Sequence, residues 1–153
     1  MTVVCHGFLG ALSLGHREQL VATAHDVSFP GGTRIFEEGG VADRFWIVRS
    51  GLVALDVHVP GRSAAVVETL GEGDLLGWSW LFEPYRWHLG AQARSTVSAS
   101  EFDAVRIRAA CEEDPVFGLA LTNCVAQVIA RRLKSTRLRL LDLYGPPDVG
   151  EAR

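Results

Sequence analysis

Gly71-Glu72-Gly73-Asp74-Leu75-Leu76-Gly77-Trp78-Ser79-Trp80-Leu81 opens the stretch that decides how this chain reads. It runs on through Pro84-Tyr85-Arg86-Trp87-His88 into Val97-Ser98-Ala99, where polar and apolar residues alternate. A Gly-rich turn that leads into a short helix leaves backbone N–H groups free at the helix start. Those groups, with the helix dipole, favour an anion.

Outward from this turn the period of the apolar residues is two. Arg44 to Arg49 is dense in Phe, Trp, Ile and Val, and Ser50-Gly51 interrupts it. Val53, Leu55, Val57 and Val59 alternate with Ala54, Asp56 and His58, and Pro60-Gly61 turns the chain before Ala64 to Leu70. Short strands at regular spacing with Gly-rich joints predict an all-β jelly roll over about 27–108. On its N-terminal side, Leu9, Leu12, Leu20, Val21 and Ala24 recur at helical spacing with Gly10 and Gly15 between them, which predicts short helices.

On the C-terminal side a long helix is expected over about 115–143. Leu121, Val125, Ile129, Leu133, Thr136, Leu140 and Leu143 share one face, and Phe117, Cys124 and Val128 form a second stripe. Pro115 suits a first helical turn, and Gly145-Pro146-Pro147 ends the helix. Such a helix reaches ~44 Å, further than a small roll covers. The expectation is therefore a symmetric homodimer along it, with a helix folded back over its own roll as the alternative.

The 153 residues suffice for one domain over 1–144, followed by a short tail at 145–153. A net charge of −3 encodes no global pull toward nucleic acid or an anionic membrane. Three scattered cysteines argue against a disulfide framework or a zinc site and for a reducing, cytoplasmic compartment. No signal peptide is expected at Met1–Ser13, and no apolar run is expected to reach the ~20 residues of a membrane span. The histidines His6, His16, His25, His58 and His88 stand apart, and no Gly-x-Ser-x-Gly or phosphate-binding lysine loop occurs, so no enzyme, metal or cofactor is expected.

Four segments in order carry a family resemblance. Phe29-Pro30-Gly31-Gly32-Thr33-Arg34-Ile35-Phe36-Glu37-Glu38-Gly39 is similar to "FPxGTxIFxEG", and Phe45 to Val53 to "FYIVxSGxV". Thr69 to Gly77 is similar to "TLGxGDxFG", and Ala130 to Thr136 to "ARRLxxT". Together they resemble the cyclic-nucleotide-binding domain of the catabolite activator (Crp-like) type over residues 10 to 143. The resemblance implies a sensor for cyclic AMP (cAMP) or cyclic GMP (cGMP). It implies a phosphate cassette of the pattern "FGExxLL…RxA", with an Arg on the phosphate and a Glu on the ribose. Relatives carry a DNA-binding helix-turn-helix after the long helix. Nine residues follow Tyr144 here, so the expectation is a sensor that binds no DNA itself and signals to an unidentified output protein.

The cassette departs from the family pattern. Gly77 matches its opening, but Trp78 stands at the Glu position. An ungapped alignment on Val97 puts Ala93 at the Arg position, with Gln92 and Arg94 beside it. Strand parity turns Gln92 and Arg94 away from the face shared by Ala93, Val97 and Ala99, unless a bulge re-aims them. The phosphate contact is then Arg94, in Arg94-Ser95-Thr96 as a shifted motif, or Arg86, or neither, with both arginines solvated. Ser79 either donates to phosphate or caps its helix. Trp78, Trp80, Tyr85 and Trp87 either close over a purine or plug the mouth of the roll. Thr136 matches a base-contacting threonine, or else bonds back to its own helix. Arg131, Arg132, Lys134, Arg137 and Arg139 read as a solvated face. The candidate site is thus Gly77, Trp78, Ser79, Trp80, Arg86, Gln92, Arg94, Ser95 and Thr136, for a cyclic nucleotide or related small anion. The alternative is a degenerate roll kept as a dimerisation or interaction scaffold.

Overall fold

A computed structural model describes residues 7–144. Two short helices, α1 (Gly7–Gly10) and α2 (Leu14–Val21), precede eight strands. The strands are β1 (His25–Phe29), β2 (Arg34–Phe36), β3 (Arg44–Ser50), β4 (Val53–Val57), β5 (Ala65–Leu70), β6 (Leu75–Leu76), β7 (Gly90–Ala93) and β8 (Val97–Asp103). They pair antiparallel in two four-stranded sheets, β1-β8-β3-β6 and β2-β7-β4-β5. Consecutive strands mostly belong to opposite sheets, so the chain crosses the core repeatedly, as a jelly roll requires. Buried residues of both sheets, Phe45, Val48, Val53, Leu70, Ala91, Val97 and Phe102 among them, form one hydrophobic cluster.

The roll is slightly earlier than the sequence pattern suggests. It spans 25–103, because Asp103 caps a helix, α3 (Ala104–Glu113), by accepting from the Arg106 N–H at 3.2 Å. Strand β4 is buried on both faces rather than one. Its polar position, Asp56, is 5% exposed and is held by Arg34 at 2.6 and 3.1 Å. Those bonds, and then the ones to Glu37, hold the Arg34 guanidinium well above its ordinary pKa. Gly90 packs against this pair so closely that a Cβ there would overlap both side chains.

The long helix α4 (Pro115–Tyr144) begins where Asp114 accepts from the Phe117 N–H at 3.2 Å. Phe117, Leu121, Cys124, Val125 and Val128 are buried against the roll and α3. Beyond Ile129 the stripe is open: Leu133, Leu138, Leu140 and Leu141 are each more than half exposed. The expected stop at Gly145-Pro146-Pro147 and the tail at 145–153 lie outside the described residues. One expectation needs correction. By length and composition alone, Pro115–Asp142 is apolar enough to cross a membrane. Its first half nevertheless serves as a core helix, and Arg131, Arg132, Lys134, Arg137 and Arg139 stud its second half.

Candidate ligand site between the roll and the long helix

Gly77 has φ +98°, a conformation that side chains rarely adopt. A Cβ there would stand 2.8 Å from the Trp87 ring, which lies across the turn. Trp87 is itself stacked on Phe36 with ring centroids 3.9 Å apart, so it is fixed from both sides. The expected short helix is a single 3-10 turn, Ser79–Leu81, too short to align many peptide dipoles. Ser79 is 3% exposed, and its Oγ lies 2.9 Å from His88 Nδ1. His88 in turn stacks on Trp78, centroids 4.9 Å apart. About 20 Å³ of space remains in this cleft, room for about one water. The turn that the sequence suggests for a phosphate is therefore filled by the chain's own Trp87 and His88.

A larger cavity of about 230 Å³ lies beside it, between sheet and long helix. Leu55, Val67 and Leu89 form its apolar floor, Trp78 one wall, and Ile129, Leu133 and Thr136 the helix side. Glu68 and Arg132 are its two charged groups. Leu55, Trp78, Leu89 and Arg132 line this cavity and the Gly77 cleft alike, so the two meet there. A third space, about 220 Å³, lies on the far side of Arg132 among Phe8, Glu68, Asp74, Arg131 and Ser135.

Arg132 is thus common to all three spaces. It reaches down from α4 and donates to the Leu75 carbonyl of β6. No ion pair holds it among the described residues. Burial pushes its guanidinium down from the ordinary arginine value, Arg131 adds to this, and the Glu68 and Asp74 carboxylates oppose it. An arginine in such surroundings stays charged.

The candidate residues divide accordingly. Gly77, Trp78 and Ser79 line the cleft, and Trp78 and Thr136 line the larger cavity. Trp80 does neither: it is fully buried, stacked on Phe45 at 4.0 Å, and its Nε1–H donates to the Gly77 carbonyl at 2.9 Å. Arg86 is exposed beside Val41 and directed at the Gly39 carbonyl. Gln92 donates to the Gly32 carbonyl, and Ser95 accepts from the Leu52 N–H. Arg94 is exposed in the turn between β7 and β8. None of Trp80, Arg86, Gln92, Arg94 and Ser95 lines any of the three spaces. Strand parity, taken across Gln92 to Ala99, turns Gln92 and Arg94 away from the face of Ala93, Val97 and Ala99, and those three are buried while Arg94 is exposed. The segment is not one continuous strand. Instead β7 ends at Ala93, residues 94–96 turn, and β8 begins in the other sheet. The aromatic residues split between roles. Trp80 and Trp87 are packing, Trp78 faces the cavities, and Tyr85 lies under the Arg108 guanidinium at 4.0 Å. Arg108 also donates to the Trp80 carbonyl at 2.6 Å, tying this segment to α3.

Arg132 and His88 escaped the sequence reading. For Arg132 a signal existed. It stands four residues after Val128 and seven after Val125, on the buried face of α4 rather than the solvated one.

Two crossed sheets, a Gly77 turn and a long helix closing one side define the Crp-like cyclic-nucleotide-binding fold. The family model "Cyclic nucleotide-binding domain" matches residues 26–114, more than half of the chain, and the chain belongs to that family. Over 117 residues it is 29% identical to the "CRP-like cAMP-activated global transcriptional regulator" of Mycobacterium tuberculosis (strain CDC 1551 / Oshkosh), covering 76% of this chain. The match spans 50% of that relative's length. The N-terminal domain of a transcriptional regulator from Streptomyces coelicolor A3(2) superposes with a TM-score of 0.69 at 25% identity, covering 89% of this chain and 95% of that one. A cyclic nucleotide-binding domain from Methylobacillus flagellatus KT superposes with a TM-score of 0.78 at 13% identity, covering 88% and 79%.

Proposed function

We propose that this protein is a non-catalytic, cytoplasmic sensor domain that binds a cyclic nucleotide, cAMP or cGMP, between its roll and its long helix. The observation that carries this reading is the cavity of about 230 Å³ lined by Trp78, Arg132 and Thr136, inside a domain of the cyclic-nucleotide-binding family. Ligand seated there contacts sheet and helix together, so its binding energy favours one helix position over others. Leu133, Leu138, Leu140 and Leu141, exposed along the distal helix, support a homodimer through that element. The dimer passes the change to an output protein.

Calorimetric titration of the protein with cAMP and cGMP, up to about millimolar, tests the reading. Saturable binding of one nucleotide per chain is the expected result. A second reading, a roll that binds no cyclic nucleotide and serves as an interaction scaffold, is favoured by the filled Gly77 cleft. No heat with either nucleotide from folded protein would select it.

A further inference from the structure

We propose that the anion subsite of this domain has moved from the Gly77 turn to Arg132 on the long helix, and that the ligand class is a flat, mostly apolar monoanion. The inference rests on the reading that a ligand sits between roll and helix, and it specifies that ligand's charge and orientation.

Three observations carry it. The Gly77 turn has about 20 Å³ left beside it, with the Trp87 ring lying across the turn and His88 bonded to Ser79. The neighbouring cavity has about 230 Å³, a floor of aliphatic side chains, and the Trp78 indole as one wall. Such a wall suits a flat ring. Arg132 stands where the two spaces meet and forms no ion pair among the described residues.

Charge placement fixes the orientation. Glu68 lines the larger cavity and, with Asp74, the space beyond Arg132, whereas no carboxylate lines the cleft side. A monoanion therefore sits within the larger cavity, against the guanidinium at the Leu55 and Trp78 edge where the cavity meets the cleft, with its apolar body extending toward Ile129 and Thr136. A bidentate contact from Arg132 suits a carboxylate or a cyclic phosphodiester equally. Cyclic nucleotides are then one member of the class and aromatic monocarboxylates another. A dianion is disfavoured by Glu68, which lies within the same cavity.

The test is calorimetric titration of the whole chain with four probes: cAMP, cGMP, 2-naphthoate and the neutral 2-naphthamide. The same titrations are repeated on Arg132→Gln, Arg132→Lys, Glu68→Gln, Arg86→Ala and Arg94→Ala. At least one monoanion binds the wild-type protein, and naphthamide binds more weakly than naphthoate by about tenfold or more. Arg132→Gln weakens the bound monoanion by about tenfold or more, and Arg132→Lys recovers part of the loss. Glu68→Gln tightens binding up to about threefold, and Arg86→Ala and Arg94→Ala leave it unchanged. Circular dichroism and thermal melting confirm that each variant is folded.

Naphthoate binding that depends on Arg132, with no nucleotide binding, would sustain the anchor and remove the cyclic-nucleotide reading. Nucleotide binding unchanged in folded Arg132→Gln would do the reverse. Failure of every monoanion to bind folded wild-type protein overturns the proposal, as does a loss confined to Arg94→Ala or Arg86→Ala.

Discussion

The cleft at Gly77 and the cavity at Thr136 share Leu55, Trp78, Leu89 and Arg132, yet one is filled and the other open. On the cleft side, Trp87 is clamped between Gly77 and Phe36, and Ser79 and His88 satisfy each other's hydrogen bonds. Trp87 and Ser79 are buried there, and His88 closes the rim from the exposed side. On the cavity side the aliphatic floor lacks a partner layer, and a cation stands without an ion pair among the described residues. The turn at Gly77 thus keeps little free space, about 20 Å³, while about 230 Å³ lies open beside the helix. A Gly turn of this shape is compatible with a packed neighbour such as Trp87, so the turn alone does not report on a ligand.

If the cleft is true core, removing its plug is the most damaging change. Trp87→Ala is expected to cost about 3–5 kcal/mol of stability, read by urea unfolding, because the stack on Phe36 and the cover over Gly77 are lost together. Trp78→Ala, at a half-buried ring on the cavity side, is expected to cost about 1–2 kcal/mol. Equal costs would break the contrast between the two sides. Next in size is Asp56→Ala, which removes the buried partner of Arg34 and leaves it only the exposed Glu37. Buried pairs lose about 3–5 kcal/mol in this way. Arg34 is about one-third exposed, so a loss of about 2 kcal/mol is expected in the same unfolding assay.

The distal helix sharpens the comparison from outside the roll. Leu133→Glu with Leu140→Glu, at two exposed positions, is expected to convert a dimer to a monomer by light scattering while the melting temperature of the roll holds. A monomeric wild-type protein would instead mean that those leucines face another partner. The smallest effect concerns the Cys124 thiol. Burial pushes its pKa above the ordinary thiol value, only partly opposed by Arg131. Its alkylation at pH 8 is therefore slower than that of a free thiol, and unfolding with urea removes the difference.

Much of this architecture was legible in the residues. Period-two alternation with Gly and Pro joints marked the strands at 44–50, 53–57 and 65–70, and the 3.6-residue stripe marked the long helix to within a residue. What failed was local. Gln92 to Ala99 reads as one alternating strand, because a tight turn of Arg, Ser and Thr carries neither Gly nor Pro to announce it. The two halves join different sheets, and Gln92, Arg94 and Ser95, named as neighbours of the aligned position, line none of the three spaces. Arg132 was hidden by its neighbours. In a run of five basic residues, composition says solvent, while its spacing from Val125 and Val128 says interior. Trp80 and Trp87 show the converse limit, since a density of aromatic rings does not say which rings line a site and which fill a core.

The most direct test of the account is a crystal structure of the protein soaked with 8-bromo-cAMP and, separately, with 4-bromophenylacetate, read from the bromine anomalous signal. The account predicts bromine between Trp78 and Leu133, the phosphate or carboxylate on Arg132, and Trp87 still lying over Gly77. Bromine density that places the anion at the Gly77–Ser79 turn, with Trp87 and His88 swung aside, would contradict it.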